Sequence, residues 1–367
     1  MKTTISITVV IVIVLLCIRV YHTPGQPSVN YYHQVVHNVH VIYHPENLRI
    51  KAPSEKHHYG NLQLYPIFAS SFFLEHHQHL GPYLSLQEAL KQKKIIITEL
   101  SDKNNQQDTT VASVVDSVAT VFDEAEVNRL FVENIFSDTI IILGGEVVQG
   151  GKQDRMIAQD FMVLPHSGKL DIAVYCVEHG RWTYSDESTV FATTMNMAPP
   201  EVRRAADAPA AQEKVWDKVA EMTSKMDAPS PTGALAFAVA DGKMQEPLLP
   251  YKKHFESIEW PEDVVGVIAV MGNKIVALDI FAQHQLFTRY YPNLLSSYIS
   301  DAHAVSDSTT MPYAEVESFL SELINNDAAL DKHIQQRGTQ LKHHGYRIHV
   351  ATYGESDDDE PTVRVDE

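Results

Sequence analysis

The pattern of apolar and polar positions divides the chain into two unlike parts. From 127 to 182, short alternating or apolar runs read as strands: VNRLFVEN, TIIIL, FMVLP and DIAVYCVE, separated by turns at Ser137-Asp138, Gly144-Gly145 and Ser167-Gly168. Short strands at this spacing predict an antiparallel sandwich or barrel. Upstream, GNLQLYPIF (60–68) alternates as a strand. SLQEALKQKK (85–94) opens with Ser85 and Glu88 in capping-box register and predicts a short helix. IIITEL (95–100) predicts another strand, and SDKNNQQDTT (101–110) a polar loop. After about residue 200 the period lengthens. QEKVWDKVAEM places Val215, Trp216, Val219 and Met222 on one helical face, and AEVESFLSELI does the same for Val316, Phe319, Leu320 and Leu323. A further helix is expected over 292–304, starting at Pro292. VGVIAVMGNKIVALDIF (265–281) reads as two apolar strands about a tight hairpin turn at Gly272-Asn273.

These elements predict an α+β fold. An antiparallel β-rich first half (59–200), sandwich- or barrel-like, packs with a helical second half (201–352) that contains the β-hairpin. Residues 353–367 form an acidic, disordered tail on this reading. Residues 1–20 are an apolar run bounded by Lys2 and Arg19, some 14 to 16 apolar residues long. That suits a signal anchor or a signal peptide and falls short of a comfortable span of about 20 residues. VLLC (14–17) has Leu16 where a lipoprotein box needs a small residue, so an uncleaved anchor is preferred. The chain is therefore expected to be membrane-anchored through its N-terminal segment, or exported. Residues 21–58, with four prolines, read as a stalk rich in histidine. His33, His37, His40 and His44 would share one face of a helix, but the valines and isoleucine between them favour a strand, and no carboxylate or cysteine completes a ligand set. No metal site is assigned.

Composition narrows the partners. The chain has 367 residues, 44% hydrophobic and 21% charged, with a formal net charge of −18. Such a surface repels a phosphate backbone, so no nucleic-acid partner is expected. With two cysteines, Cys17 and Cys176, there is no disulfide framework.

The chemistry concentrates in LGGEVVQGGKQDR (143–155), which follows an apolar strand and so invites comparison with a phosphate loop. A Walker loop needs four residues between its glycines and a hydroxyl after the lysine. Here Gly145 and Gly151 enclose five residues and Gln153 stands at the hydroxyl position. Rossmann spacing is absent as well. The glycines instead permit positive φ in tight strand turns. Glu146, Lys152, Gln153, Asp154 and Arg155 lie within ten residues, and CVEHGRW (176–182) adds Cys176, Glu178, His179, Arg181 and Trp182. Lys152 and Arg155 suit a phosphate or carboxylate, Arg by its planar fork, and Trp182 can stack a flat group. Cys176 reads as a buried strand residue before it reads as a nucleophile.

NRLFVEN, GGEVVQGGKQDR, CVEHGRW, KVWDKV, SPTGAL and NKIVALDIF…LLSSYISDA, in that order, resemble the ADP-ribosylglycohydrolase (ARG) and rhodanese-phosphatase-associated protein domain family. The likeness runs from about Tyr59 to about Ala304 and continues more weakly to near Tyr353. It implies the company of enzymes of ADP-ribose and phosphate chemistry and no stated reaction. It carries over Glu146, Lys152, Gln153, Arg155, Cys176, Glu178, Arg181 and Trp182 as site residues. Three readings stand side by side. One is a module binding a small anionic, ADP-ribose-related ligand between the two motifs. Another is a hydrolase with Glu146 or Glu178 as general base and Arg155 and Arg181 stabilising developing charge. The third is a structural or protein-interaction domain. No motif names a cofactor, and whether the chain is an enzyme stays open. The two motifs are expected to converge at one sheet edge. At least one carboxylate–cation contact should join Glu146 or Glu178 to Lys152, Arg155 or Arg181.

Overall fold

The computed structural model describes residues 42–78, 80–99, 128–180, 190–195, 197–206, 211–224, 232–240, 242–300, 302, 309–325, 340–343 and 346–349. Among them sixteen strands, numbered in chain order, form three sheets. The largest contains β1 (Leu48–Ile50), β2 (His58–Tyr59), β3 (Leu62–Ala69), β13 (Val264–Met271), β14 (Lys274–Phe281), β15 (Gln340–His343) and β16 (Tyr346–His349). Its order is β1-β3-β13-β14-β16-β15, with β2 paired to β3. The expected hairpin is at its centre: Met271 pairs with Lys274 around Gly272-Asn273, and Gly272 takes φ +60, the left-handed region a tight turn requires. β13 is apolar throughout because both its faces are covered. Val267, Ala269 and Met271 pack under helices Leu249–Glu256 and His284–Ile299, while Val265, Ile268 and Val270 pack under helices Ser71–His76 and Tyr313–Asn325.

The second sheet is the expected barrel-like unit. It holds β5 (Ile95–Glu99), β6 (Arg129–Asn134), β8 (Val147–Gly150), β9 (Arg155–Ile157), β11 (Gly168–Cys176) and β12 (Phe191–Met195), ordered β12-β8-β9-β11-β6-β5 and antiparallel throughout. A bridge between Thr98 and Val190 draws its two edges together, so it curls into a half-barrel. Ile97, Leu130, Val132, Val148, Ile157 and Val174 fill the interior, and Leu86 and Ala89 of helix Leu86–Lys91 close it. That helix has the capping box read from Ser85 and Glu88. The third sheet, β4 (Tyr83–Ser85), β7 (Thr139–Ile142) and β10 (Phe161–Val163), joins the two cores. Ile140 and Ile142 face the barrel interior and Ile141 faces the core beneath helix His284–Ile299, which is why the run is apolar at every position.

The fold is α+β, as expected, but the chain is divided differently. Residues 42–58 are no stalk: Ile42, Tyr43, Leu48 and Ile50 are buried, and β1 pairs with β3. Nor do the halves separate at residue 200, because β3 lies between β1 and β13 in the large sheet. The helix expected to start at Pro292 starts at His284 and carries Pro292 inside it. Proline there removes one backbone bond, at a cost of about 3 kcal/mol. Burial of Leu286, Phe287, Tyr290, Tyr291, Leu294, Leu295 and Tyr298 along one continuous face outweighs that.

The N-terminal apolar segment, His33, His37, His40 and the acidic tail lie outside the described residues. His44 accepts a hydrogen bond from its neighbour Glu46 N at 3.3 Å. Among the described residues no helix is long and apolar enough to cross a membrane.

Candidate functional site

The stretch from Gly144 to Arg155 folds as the β8–β9 hairpin, with Gly150 and Gly151 at positive φ. Lys152, Gln153 and Asp154 occupy its closed end. Glu146 sits at its open end, where Ile157 N donates to its carbonyl at 2.9 Å. One sequence motif is thereby shared between two different polar clusters.

At the closed end the two motifs meet. Arg155 and Cys176 are paired across β9 and β11. Val177 N donates to Asp154 O at 3.2 Å, Asp154 N to Glu178 Oε2 at 3.2 Å, and Gln153 Nε2 to His179 O at 3.4 Å. The other Glu178 oxygen accepts from Thr232 Oγ1 at 2.6 Å. The described ion pairs of both cations run to Glu99: Arg155 Nη2 and Lys152 Nζ each lie 3.7 Å from one of its oxygens, and Lys152 N donates to it at 2.6 Å. Glu99 ends the inward-facing series Ile95, Ile97, Glu99 on β5, so the apolar barrel interior finishes in a charged layer. Gly151 makes the layer possible. A Cβ there would lie 2.5 Å from Phe191 Cζ and 2.7 Å from Glu99 Oε1, and its φ is +54. The side chain of Arg155 is 2% exposed and that of Lys152 is 35% exposed, so the first is internal and the second reaches solvent.

Cys176 is a buried strand residue. Burial raises its thiol pKa, with Glu99 adding to the rise and Arg155 opposing it, and its backbone N–H and C=O bond to the Gln212 amide at 2.9 and 3.0 Å. A protonated thiol is a poor nucleophile. Trp216 and His179 meet at near right angles, ring centroids 4.8 Å apart. Arg181 and Trp182 lie outside the described residues.

At the open end the cluster is sealed. Consecutive amides each hold one carboxylate: Leu143 N donates to Glu146 Oε2 at 2.7 Å and Gly144 N to Asp160 Oδ1 at 2.8 Å. His349, from β16, bridges Asp160 and Asp279 at 2.6 Å from Nδ1 and 2.9 Å from Nε2. Both ring nitrogens must donate to meet carboxylates, so the ring is the imidazolium. Asp279 also receives the bidentate fork of Arg203 at 2.8 and 3.0 Å and the Tyr298 hydroxyl at 2.6 Å. Burial works to raise the Asp279 pKa, but Arg203 and His349 outweigh it and hold the carboxyl ionised. Burial likewise works to lower the His349 pKa, and Asp160 and Asp279 together reverse it. Arg203 and His349 match Asp160 and Asp279 in charge. A fifth charge would be unmatched. Burial accordingly lifts the Glu146 pKa to about 8, Asp160 adding to the rise and the Leu143 amide and His349 opposing it, so Glu146 carries a proton at neutral pH.

Of the eight residues singled out in the sequence, Lys152, Gln153, Arg155, Cys176 and Glu178 gather at the closed end and Glu146 stands apart with Asp160. Asp279 and Glu99 complete these clusters. Each is a lone carboxylate ending or interrupting an apolar strand, IVALDIF and IIITE, and a buried charge has to be paired. His349 and Arg203 carry no comparable signal.

No curated protein matches the chain, and no solved structure does. The family model described as ARG and Rhodanese-Phosphatase-superfamily-associated Protein domain matches residues 48–355, from β1 to beyond β16. The chain belongs to that domain family, whose model covers most of its length.

Proposed function

We propose that the domain binds a small anionic ligand, ADP-ribose-related in kind, at the closed end of the β8–β9 hairpin, with Lys152 as its solvent-reaching contact, Gln153 and Arg155 supporting the site from beneath, and Arg181 and Trp182 as further contacts. One observation carries this reading. Three hydrogen bonds clamp the turn Gln153–Asp154 onto the segment Val177–His179, bringing together two motifs more than twenty residues apart. Two cations there share Glu99, while the oxygens of Glu178 take a backbone amide and a hydroxyl. Lys152, whose ammonium reaches solvent and stands 3.7 Å from Glu99, is the cation an incoming anion would meet, and Arg155, internal and fixed, would hold Glu99 in place beneath it. The family description adds the association with ADP-ribose and phosphate chemistry.

Thermal unfolding with and without ADP-ribose tests the reading. At 100 times Kd a bound ligand stabilises by about 2.7 kcal/mol. The ADP-ribose shift should be lost in Lys152→Ala, whose side chain is 35% exposed and whose removal leaves Glu99 paired with Arg155. No shift with ADP-ribose, or a shift that Lys152→Ala leaves intact, would refute the proposal. A hydrolytic reading would rest on Glu178, the candidate carboxylate that lies at the closed end. Turnover of an ADP-ribosyl substrate, lost in Glu178→Gln while binding persists, would favour it over binding alone.

A further inference from the structure

Helix Pro200–Ala205, helix Ala211–Ser224 and the first residue of β14 line an open groove of about 320 Å³ that shares no lining residue with the hairpin's closed end. Four cations, Arg204, Lys214, Lys218 and Lys274, line it with two acids, Glu201 and Asp217. That excess is opposite in sign to the chain's net charge of −18. At its centre three cations converge on one carboxylate: Lys218 Nζ, Lys274 Nζ and Arg204 Nη2 lie 3.6, 3.8 and 3.9 Å from Glu201 oxygens. All three distances exceed the roughly 2.8 Å of a charge-assisted hydrogen bond. One carboxylate can neutralise one of the three charges. Lys218 has a second partner in Glu221 at 2.8 Å, whereas Lys214 makes no ion pair among the described residues. Arg204 is pre-oriented, because its Nη1 donates to the Val276 carbonyl.

We propose that this groove is a second anion site, separate from the hairpin's closed end, and that it takes a phosphate-bearing small molecule. Cations arriving from a helix end, a second helix and a hairpin strand surround a point, which suits a compact tetrahedral dianion better than an extended acidic chain. The volume is at the small end of the range for ligand sites, about 300 to 1,000 Å³. Glu201 acts as the resident counter-ion, keeping the three cations in place when no ligand is bound and competing with the ligand when one arrives.

Titration of the intact protein with inorganic phosphate tests this, by calorimetry at an ionic strength held constant with sodium chloride. Saturable binding is expected. Losing one cation contact should weaken it about tenfold, so Lys214→Ala and Lys274→Ala should each do so, and neither should alter folding because both side chains are exposed. Glu201→Gln should tighten binding several-fold by removing the competitor. Lys152→Ala should leave this binding intact, which keeps the outcome independent of the proposal for the hairpin. Non-saturable heat, binding indifferent to Lys214→Ala and Lys274→Ala, or Glu201→Gln weakening phosphate binding would each overturn the assignment.

Discussion

Glu146→Gln should give a folded protein that has lost one defined part of its pH dependence. Glu146 is 1% exposed and its pKa is lifted from 4.5 to about 8, chiefly by burial. Between those two values the folded chain keeps the proton that the unfolded chain gives up, so stability falls as pH rises. The slope for one such group is about 1.4 kcal/mol per pH unit, or about 5 kcal/mol over the whole interval. Glutamine has nearly the shape of the protonated carboxyl and offers Leu143 N the same oxygen, at 2.7 Å in the wild type, yet does not titrate. The raised His349 pKa acts with the same sign, stabilising below 6.5 and losing that contribution as pH rises through the folded value, but it persists in the variant. Urea unfolding at pH 5.5, 6.5 and 7.5 isolates Glu146 as the difference between the two proteins. The variant should gain on the wild type by about 1.4 kcal/mol for each unit. Parallel curves would show that Glu146 does not hold its proton, and a variant unfolded at every pH would show that its carboxyl is ionised and structurally indispensable.

The rest of the charge network makes further predictions. Arg203→Met should cost about 3 to 5 kcal/mol in urea unfolding, because it strips a buried carboxylate, Asp279, of its bidentate partner. A loss below about 1 kcal/mol would mean that His349 and Tyr298 suffice to hold Asp279. Gly151→Ala should destabilise by more than about 1 kcal/mol, since the backbone is left-handed and the methyl group meets Phe191 and Glu99. A melting temperature equal to wild type would contradict the charged layer as placed. Cys176 should resist iodoacetamide at pH 8 in the folded protein and react in urea, its thiol being buried and raised in pKa. Rapid native labelling would place it in an open site.

The strands were legible where one face is wet and the other dry, as in β6 and β11, because alternation reports burial directly. The hairpin at Gly272-Asn273 and the Ser85–Glu88 cap were legible for a different reason: each depends on residues with one local conformational role. Pairing across the large sheet was not. β3 and β13 look alike in sequence to any buried strand, and nothing local joins Leu62–Ala69 to a strand some two hundred residues on. Residues 42–58 resemble a stalk in sequence because prolines and histidines obscure four apolar residues that are spaced irregularly and bury against another segment altogether. At the site, the meeting of the two motifs follows from antiparallel strands of ordinary length. The removal of Glu146 to a second cluster follows from hairpin geometry, which sends residues a few positions apart to opposite ends. His349 had no local signal, since its partners Asp160 and Asp279 lie 189 and 70 residues away.

The position of β3 between β1 and β13 has a consequence for biosynthesis. Leu62–Ala69 is made early, and its main partner, Val264–Met271, emerges only after the whole half-barrel has been synthesised. The six strands of the half-barrel, all between β5 and β12, pair among themselves and can close first, by comparatively local pairing. Through that period LQLYPIFA has β1 and β2 to cover one edge and nothing along the other, which makes it the kind of segment that pairs with a neighbouring chain. The ribosome therefore delivers this protein with its central sheet half built. A pause or truncation before residue 264 should yield an aggregating product, and a truncation before His349 a folded one with Asp160 and Asp279 deprived of the cation between them.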